Sequence, residues 1–445
     1  MVVDVLARAP APREAIALAD RERTWTYAEL GARVDQRAAD LDAVGYGPGA
    51  LVPVVVDADV EGVVTLLALW RIGATPAPLS SRLTEPERDT ARRVLESAPG
   101  DAQVVLWTSG TAGRPHGVAI GFAALAASAE ASAERLGLGT ADVWHASLSP
   151  AHVGGVALVA RALLLGARLV VTGPFEAGEA SALIDGRGVR AGLAVTHVSV
   201  VPTQLLRLLD ARAGAPAPPT FRCALVGGAA APAGLVARAL AAGWPLALTY
   251  GLTEATSQVA TAAPALTRRK PGTLGLPLRG VELRVNHDGE ILVRGATLAD
   301  GYLASEEPLL APDGWHHTGD LGRLDEDGDL WVTGRRIDRI VSGGVTVDAA
   351  EVEEALRGHP GVRDAGVVGL PDAEWGERVG AWVEPMEPDW PELVSALDAW
   401  LRGRLAPAKL PRVYHVAPGL PRNANGKLDR GRVREALGRA RPVAE

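Results

Sequence analysis

A single cysteine, Cys223, stands among 445 residues, which excludes an intrachain disulfide and any metal site built from clustered thiolates. A basic excess is missing too. The 45 Lys plus Arg are outnumbered by 53 Asp plus Glu, giving a formal net charge of −8. No global positive field therefore draws the chain to nucleic acid or anionic lipid. Lysine is nearly absent: apart from Lys270, Lys409 and Lys427, every basic residue counted is arginine. That bias fits a preference for Arg codons, alongside the Ala, Gly and Pro richness. The N-terminus, MVVDVLARAPAPRE, has an early acid and no apolar core of signal-peptide length. No membrane-length apolar run is unbroken either. The best candidate, Val153 to Val171, contains Gly154, Gly155, Arg161 and Arg168, and a mid-span charge is expensive. Together these absences predict a cytoplasmic chain without membrane insertion.

What is present is the composition of a folded chain. Hydrophobic content of 47% and charged content of 22% argue against disorder, and the length implies two or three domains. LVPVVVDA (51–58) reads as a strand, VEGVVTLLALWRIGA (60–74) as an apolar-faced helix, and AQVVLWTSG (102–110) as a strand entering a Gly-rich turn. ARLVVTG, GLAVTHVSVV, FRCALVGG and WPLALTYG continue the alternation with Ala/Leu helices, which predicts an α/β chain with a largely parallel sheet covered on both faces. After about residue 270 the texture changes. GVELRVNHDGEILVRG and RLDEDGDLWVTG read as hairpins with Asp-Gly turns. A compact tail follows, with a boundary expected near Gly334–Asp338.

Three segments carry chemistry. LWTSGTAGRPHGV (106–118) puts the hydroxyls of Thr108, Ser109 and Thr111 and the glycines Gly110, Gly113 and Gly117 after a buried strand. Backbone N–H groups and hydroxyls can thus approach an anion unobstructed, although an ordinary polar turn looks the same. TYGLTEATSQV (249–259) presents Thr253 and Glu254, either a helix cap or oxygen donors for Mg²⁺. PRNANGKLDR (421–430) contains Lys427 after a Gly turn, where a solvated charge is the plain expectation.

Taken in order, these segments resemble the adenylate-forming enzymes, the family of acyl-CoA synthetases, luciferases and peptide-synthetase adenylation domains. With WTYAELGARVD (25–35), LWRIGATPAPL (69–79), WHHTGDLGRL (315–324) and VTGRRIDRIVSGG (332–344), the resemblance covers essentially the whole chain. It implies a large N-terminal domain, 1–336, of two α/β subdomains plus a distorted β-barrel. A small mobile α+β domain, 337–445, would follow. Thr108, Ser109, Gly110, Thr111, Gly113 and His116 would then hold ATP phosphates. The resemblance assigns one adenine wall to Tyr250 and the other to Gly227, Gly228 and Ala229, with Gly251 also at the ATP site, the α-phosphate to Thr253, Mg²⁺ to Glu254, the ribose to Asp320 and a further nucleotide contact to Arg335. Ile337 and Asp338 would form the hinge, and Lys427 would enter the site as the catalytic cation. The family usually has Lys at the position of His116, which predicts weaker ATP handling; Arg114 could supply some of the missing charge. Lys270 and Lys409 are expected to be surface charges.

The acyl pocket departs from the amino-acid-activating members. SPAHVGGVALVAR has His152 and no acid, so an α-amino acid substrate is not expected. Arg161 either snorkels from a helix or pairs with a second carboxylate of the substrate. This spacing, with THVSVVPTQLLRLL, ALVGGAAAP and YGLTEATSQ, resembles the o-succinylbenzoate–CoA ligases of menaquinone biosynthesis. That resemblance implies a carboxylic acid, ATP and coenzyme A as small-molecule partners, with Arg161 on the distal carboxylate. Thr196, Ser257 and Gln258 would make polar contacts, while His152 and His197 shape the pocket. Another aryl- or short-chain acyl-CoA ligase, a carrier-protein loading enzyme and a catalytically weakened adenylate-binding homologue stay open, as does a homodimer.

Overall fold

Side chains of a strand alternate between faces, so a sheet covered on both sides needs apolar residues at consecutive positions. The strand runs have this character. In the computed structural model, which describes residues 3–95, 102–108, 116–188, 193–303, 307–372, 374–387, 390–423 and 427–439, they form an eight-stranded sheet. Its order is Ser257–Ala262, Leu246–Leu252, Cys223–Val226, His197–Val200, Val143–His145, Arg168–Val170, Ile16–Ala19 and Thr24–Thr26. The six inner strands are parallel and both edge strands antiparallel. Trp144, Leu169, Cys223 and Leu225 face one core, which includes residues of helices Tyr27–Ala43, Val60–Arg71 and Val153–Leu164. Val143, Val170, Ala224 and Val226 face the other, toward Ala177–Ile184, Pro202–Ala211 and Ala233–Ala241.

Beside this sheet lie a parallel pair, Leu51–Val56 with Thr75–Ser80, and an antiparallel trio, Val104–Thr108, His116–Ile120 and Gly301–Leu303. The strands on either side of the Gly-rich segment pair with each other, Thr108 opposite His116. Val153 to Val171 resolves into the helix Val153–Leu164 and the strand Arg168–Val170. Among the described residues no helix is long and apolar enough to cross a membrane.

Both expected hairpins belong to one four-stranded antiparallel sheet, Val281–Val285, Glu290–Gly295, His316–Leu324 and Leu330–Arg335. Beyond it, Val345–Asp348, Arg339–Ser342, Gly376–Pro385 and Val362–Asp372 make a last sheet, with Val413–Val416 parallel to Gly376–Pro385. Helices Ala349–Arg357 and Leu393–Arg402 cover one face of it, and Arg430–Arg439 contributes to a second cluster with Val368 and Leu370.

Lys270 is more than a surface charge. Its ammonium donates to Asp325 at 3.1 Å, to Asp329 at 2.7 Å and to Asp327. It thereby ties the end of the helix Pro264–Arg269 to the turn of the second hairpin. Three carboxylates on one turn would repel each other without that cation. Lys409 likewise grips both oxygens of Glu351, at 2.7 and 2.6 Å. Hydrogen bonds from the Trp331 indole and Lys270 hold the Asp325 carboxyl down at about 2. A carboxyl with a depressed pKa stabilises the fold above its unfolded value and loses that effect as pH falls through the folded one. Lys270→Met should lower the thermal midpoint at neutral pH, and the gap from the unmodified chain should close as pH falls from about 4 toward 2. Melting curves across that range check this.

Candidate active site

In doubly wound sheets, ligands meet the carboxyl ends of the strands. Here that edge carries Gly227–Ala229 after Cys223–Val226, and Tyr250 to Glu254 at the end of Leu246–Leu252. Backbone geometry makes the edge tight. A Cβ on Gly227 would lie 2.6 Å from the Thr249 methyl, and one on Gly251 would lie 1.7 Å from the Ser257 carbonyl oxygen. Thr256 and Ser257 take φ values of 51° and 92°, a conformation that L-residues rarely adopt and that tends to mark functional turns. The Ser128 hydroxyl, buried on Phe122–Leu136, holds this turn by donating to the Thr256 carbonyl at 2.8 Å.

Asp320 is the fixed acid of the cleft. It is buried, one oxygen accepting from the Tyr250 hydroxyl at 2.7 Å and the other lying 2.7 Å from Nε of Arg335. Burial, followed by the charge of Asp320, raises the Tyr250 phenol well above its ordinary pKa, so it stays a hydrogen-bond donor. Glu254 sits on the one-turn 3₁₀ segment Thr253–Ala255, and its carbonyl accepts from Ala299 N at 2.8 Å. Tyr302 lies close enough to feel its carboxylate: the phenol is pushed up by burial and then by the charge of Glu254. Tyr302 was not anticipated from the sequence. The Gly-Tyr pair after EILVRG was its only signal.

Lys427 arrives from the C-terminal unit. A local clasp presents it: Asn423 N donates to the Lys427 carbonyl at 2.8 Å, and Lys427 N donates to the Asn423 side chain at 3.0 Å. The residue keeps solvent access, yet enough protein surrounds its ammonium to lower the pKa by desolvation. Arg335 lowers it further, while Asp320 and Glu254 oppose. Across the cleft, His152 at the start of helix Val153–Leu164 is driven down to about 4 by burial and then by Lys427 and Arg82. Lys427, Glu254, Asp320, Arg335 and His152, far apart in sequence, thus share one electrostatic neighbourhood.

Other expected residues lie elsewhere. Ser109, Gly110, Thr111, Gly113 and Arg114 fall outside the described residues, as do the side chains of Thr108 and His116. Thr196 and His197 are at the wrong end of their strand. His197 pairs in register with Cys223, whose neighbour Ala224 pairs with Leu246. Tyr250 is therefore about five residues, roughly 16 Å, further along the sheet. The Thr196 hydroxyl is engaged with Val143 and His197, and His197 stacks on Trp144 at 4.7 Å. A strand pattern in sequence does not reveal at which end of the sheet such residues lie. Arg161 is buried at 4% exposure. Its Nη1 donates to Ser132 and Gln258, each at 2.5 Å, and its guanidinium lies 4.8 Å from the Trp144 ring centre. Burial draws its pKa down to about 10, and no carboxylate lies within ion-pair distance among the described residues. Gln258, fixed by Arg161 on one side and Thr261 on the other, follows Ser257 at the edge.

Comparison with known proteins settles the family. The sequence model of the AMP-binding enzyme family matches residues 6–96 and 89–303, and that of its C-terminal domain matches 351–427. The chain belongs to the AMP-binding enzymes. Within them it is 32% identical to the 2-succinylbenzoate–CoA ligase of Geobacillus sp. (strain WCH70), covering 97% of both chains. To the ligase of the same name from Bacillus anthracis (strain A0248) it is 32% identical, covering 94% of both. The solved o-succinylbenzoate CoA synthetase from Bacillus subtilis, in complex with its acyl-adenylate intermediate, matches with a TM-score of 0.86 and 29% identity over 99% of both chains. ATP-bound MatB from Rhodopseudomonas palustris matches at 0.88 and 25% over the same share.

For an AMP-binding enzyme the donor chemistry is suitable. Glu254 offers carboxylate oxygens, the donor type Mg²⁺ prefers, near Tyr302 on the strand that pairs with His116–Ile120. The cluster Asp325, Asp327 and Asp329 is instead neutralised by Lys270. Neutral His152 predicts a simple pH response. Between about pH 5.5 and 8 the profile of the first half-reaction should keep its shape in His152→Gln, even if its height changes, because the imidazole titrates below that window. An inflection near pH 6.5 lost in the variant would contradict this.

Proposed function

We propose that this chain is an ATP-dependent acid–CoA ligase that converts o-succinylbenzoate to o-succinylbenzoyl-CoA through an acyl-adenylate. The observation that carries the reading is the convergence of Lys427 with Glu254, Asp320 and Arg335 in one cleft; the names of the relatives supply the acid. In the first half-reaction a substrate carboxylate oxygen attacks the α-phosphorus of ATP, and the bond to pyrophosphate breaks. Lys427 faces the charge that builds on the phosphoryl oxygens. Mg²⁺, held by Glu254, would supply further positive charge at the phosphates. Asp320 accepts the ribose hydroxyls, and Arg335 and Tyr250 keep it in place. Gly227 and Gly228 leave room for the purine. In the second half-reaction the CoA thiolate attacks the acyl carbon, the carbon–oxygen bond to phosphate breaks, and AMP leaves.

Residues 1–336 form the nucleotide and acid site in this proposal, and 337–445 the unit that turns about Ile337–Asp338 to remove Lys427 before CoA enters. Swinging one cation away lets a single cleft serve two transition states. The cytoplasm, which supplies ATP and CoA, is the setting this chemistry needs. Lys427→Ala should lower ATP–pyrophosphate exchange with o-succinylbenzoate by about 10²–10³, the usual effect of deleting one preorganised donor. Acyl transfer from supplied acyl-adenylate should be much less affected. Exchange with other acids but not with this dicarboxylate would sink the substrate assignment.

Arg161 is assigned an indirect part. A buried cation lacking a carboxylate favours an anion nearby, and its contact toward the strand edge is Gln258. Arg161→Met and Gln258→Met should each raise KM for the dicarboxylate by about tenfold, roughly the value of one hydrogen bond to a charged group, while KM for ATP stays constant. The double variant should lose little more than either single one, as expected when one residue acts through another. Steady-state kinetics on the three variants provides the check.

A further inference from the structure

Arg430 opens the helix Arg430–Arg439, and a cation at a helix N-terminus faces the unfavourable end of the macrodipole. What holds it there is a set of acceptors on three separate segments. Its Nε lies 2.9 Å from Asp338, beside the hinge, and its Nη1 lies 2.6 Å from Glu353 on Ala349–Arg357. The same Nη1 donates to the Val367 carbonyl at 2.6 Å, on Val362–Asp372. Glu353 is buried and also accepts from Val367 N at 2.9 Å. A planar fork with several donors suits such a junction.

Two residues, Leu428 and Asp429, separate Arg430 from Lys427, and the intervening chain has little slack. Leu428 packs into the cluster of Val368, Leu370 and Val433, and Asp429 N donates to the Pro421 carbonyl at 2.9 Å. On the other leg of the arm, Arg422 reaches Asp364 at 2.5 Å on the strand that also receives Arg430. Both legs are thus moored to Val362–Asp372, but only the Arg430 leg continues to the hinge. Asp338 belongs to the turn Arg336–Asp338, so its side chain moves with any change in that turn.

We propose that Arg430 is a positioning residue that couples the backbone at Asp338 to the Lys427 arm, so that hinge conformation sets how far the ammonium reaches into the cleft. This rests on the assignment of Lys427 to the adenylation step. Arg430 touches no reacting atom in this account; it acts through the arm. Rotation at the hinge redirects the Asp338 carboxylate, and the arm follows through the guanidinium. A purely structural Arg430 would stabilise the small unit without affecting where Lys427 sits.

Lysine scarcity makes the test direct. A pulse of an amine-acylating reagent at a series of pH values, read peptide by peptide by mass spectrometry, reports Lys270, Lys409 and Lys427 separately on the full chain. Lys427 is faced by Arg335, Asp320, Glu254 and His152. Its reactivity midpoint should lie below the ordinary lysine value of about 10.4. Arg430→Gln and Asp338→Asn should both move it upward toward that value, with the Lys270 curve unchanged. Asp338→Asn leaves the Glu353 and Val367 contacts intact, so it answers the question even if Arg430→Gln folds poorly. In parallel, kcat for ATP–pyrophosphate exchange should fall by about tenfold or more with KM for ATP nearly constant, as for a displaced catalytic group. Arg430→Lys should restore part of it. An unchanged Lys427 curve in Asp338→Asn, or equal losses in kcat and KM, overturns the coupling. The labelling arm requires no acid substrate. A shifted curve without exchange on o-succinylbenzoate therefore defeats the substrate assignment and leaves the coupling standing.

Discussion

Lys427 enters a cleft that already contains the guanidinium of Arg335, and its ammonium is tolerated there because Asp320 and Glu254 lie in the same neighbourhood. Asp320 is secured from behind by the Tyr250 hydroxyl and Arg335, and Glu254 lies near Tyr302. Those anchors come from different parts of the fold. Tyr250 rides on the parallel sheet, Asp320 and Arg335 on the four-stranded antiparallel sheet, and Tyr302 on the strand paired with His116–Ile120. Removing the cation would leave two carboxylates and one guanidinium, a cleft suited to different chemistry.

Much of this was legible in the residues because it rests on local patterns. Consecutive apolar positions in FRCALVGG and WPLALTYG forced a sheet buried on both faces, and Asp-Gly turns marked both barrel hairpins. Glu254, Asp320, Arg335 and Lys427 stood in motifs whose order matched a family, and the structure gathers them. Properties of register and packing were hidden. His197 and Tyr250 both lie on strands of the parallel sheet, but only the pairing of Cys223 with His197 and of Ala224 with Leu246 shows them to be at opposite levels. Arg161 looked like a pocket cation because its helix is apolar. Its nearest acceptors, Ser132 and Gln258, come from segments distant in sequence.

The turn after Glu254 shows how local strain and distant support combine. Thr256 and Ser257 occupy a left-handed region that a β-branched residue in particular avoids. Gly251 gives the Ser257 carbonyl space that any side chain would fill, and Ser128 holds the Thr256 carbonyl from a neighbouring helix. One turn further along that helix, Ser132 meets Arg161, which in turn meets Gln258. The helix Phe122–Leu136 thus presents two buried hydroxyls, Ser128 to the turn directly and Ser132 to its neighbour Gln258 through Arg161.

The near-absence of lysine acquires a physical sense from these contacts. Where a cation joins acceptors spread over several segments, as Arg430, Arg212 and Arg135 do, the chain uses a planar fork. Lys270 faces a different geometry, three carboxylates of one turn converging on one point. A compact ammonium can meet all three, whereas a planar guanidinium directs its donors outward within one plane. Lys427, in the electrostatic neighbourhood of Arg335, Asp320 and Glu254, is likewise a point charge on a slender stem. At positions 270 and 427, the shape of the cation supplies a reason for lysine to remain.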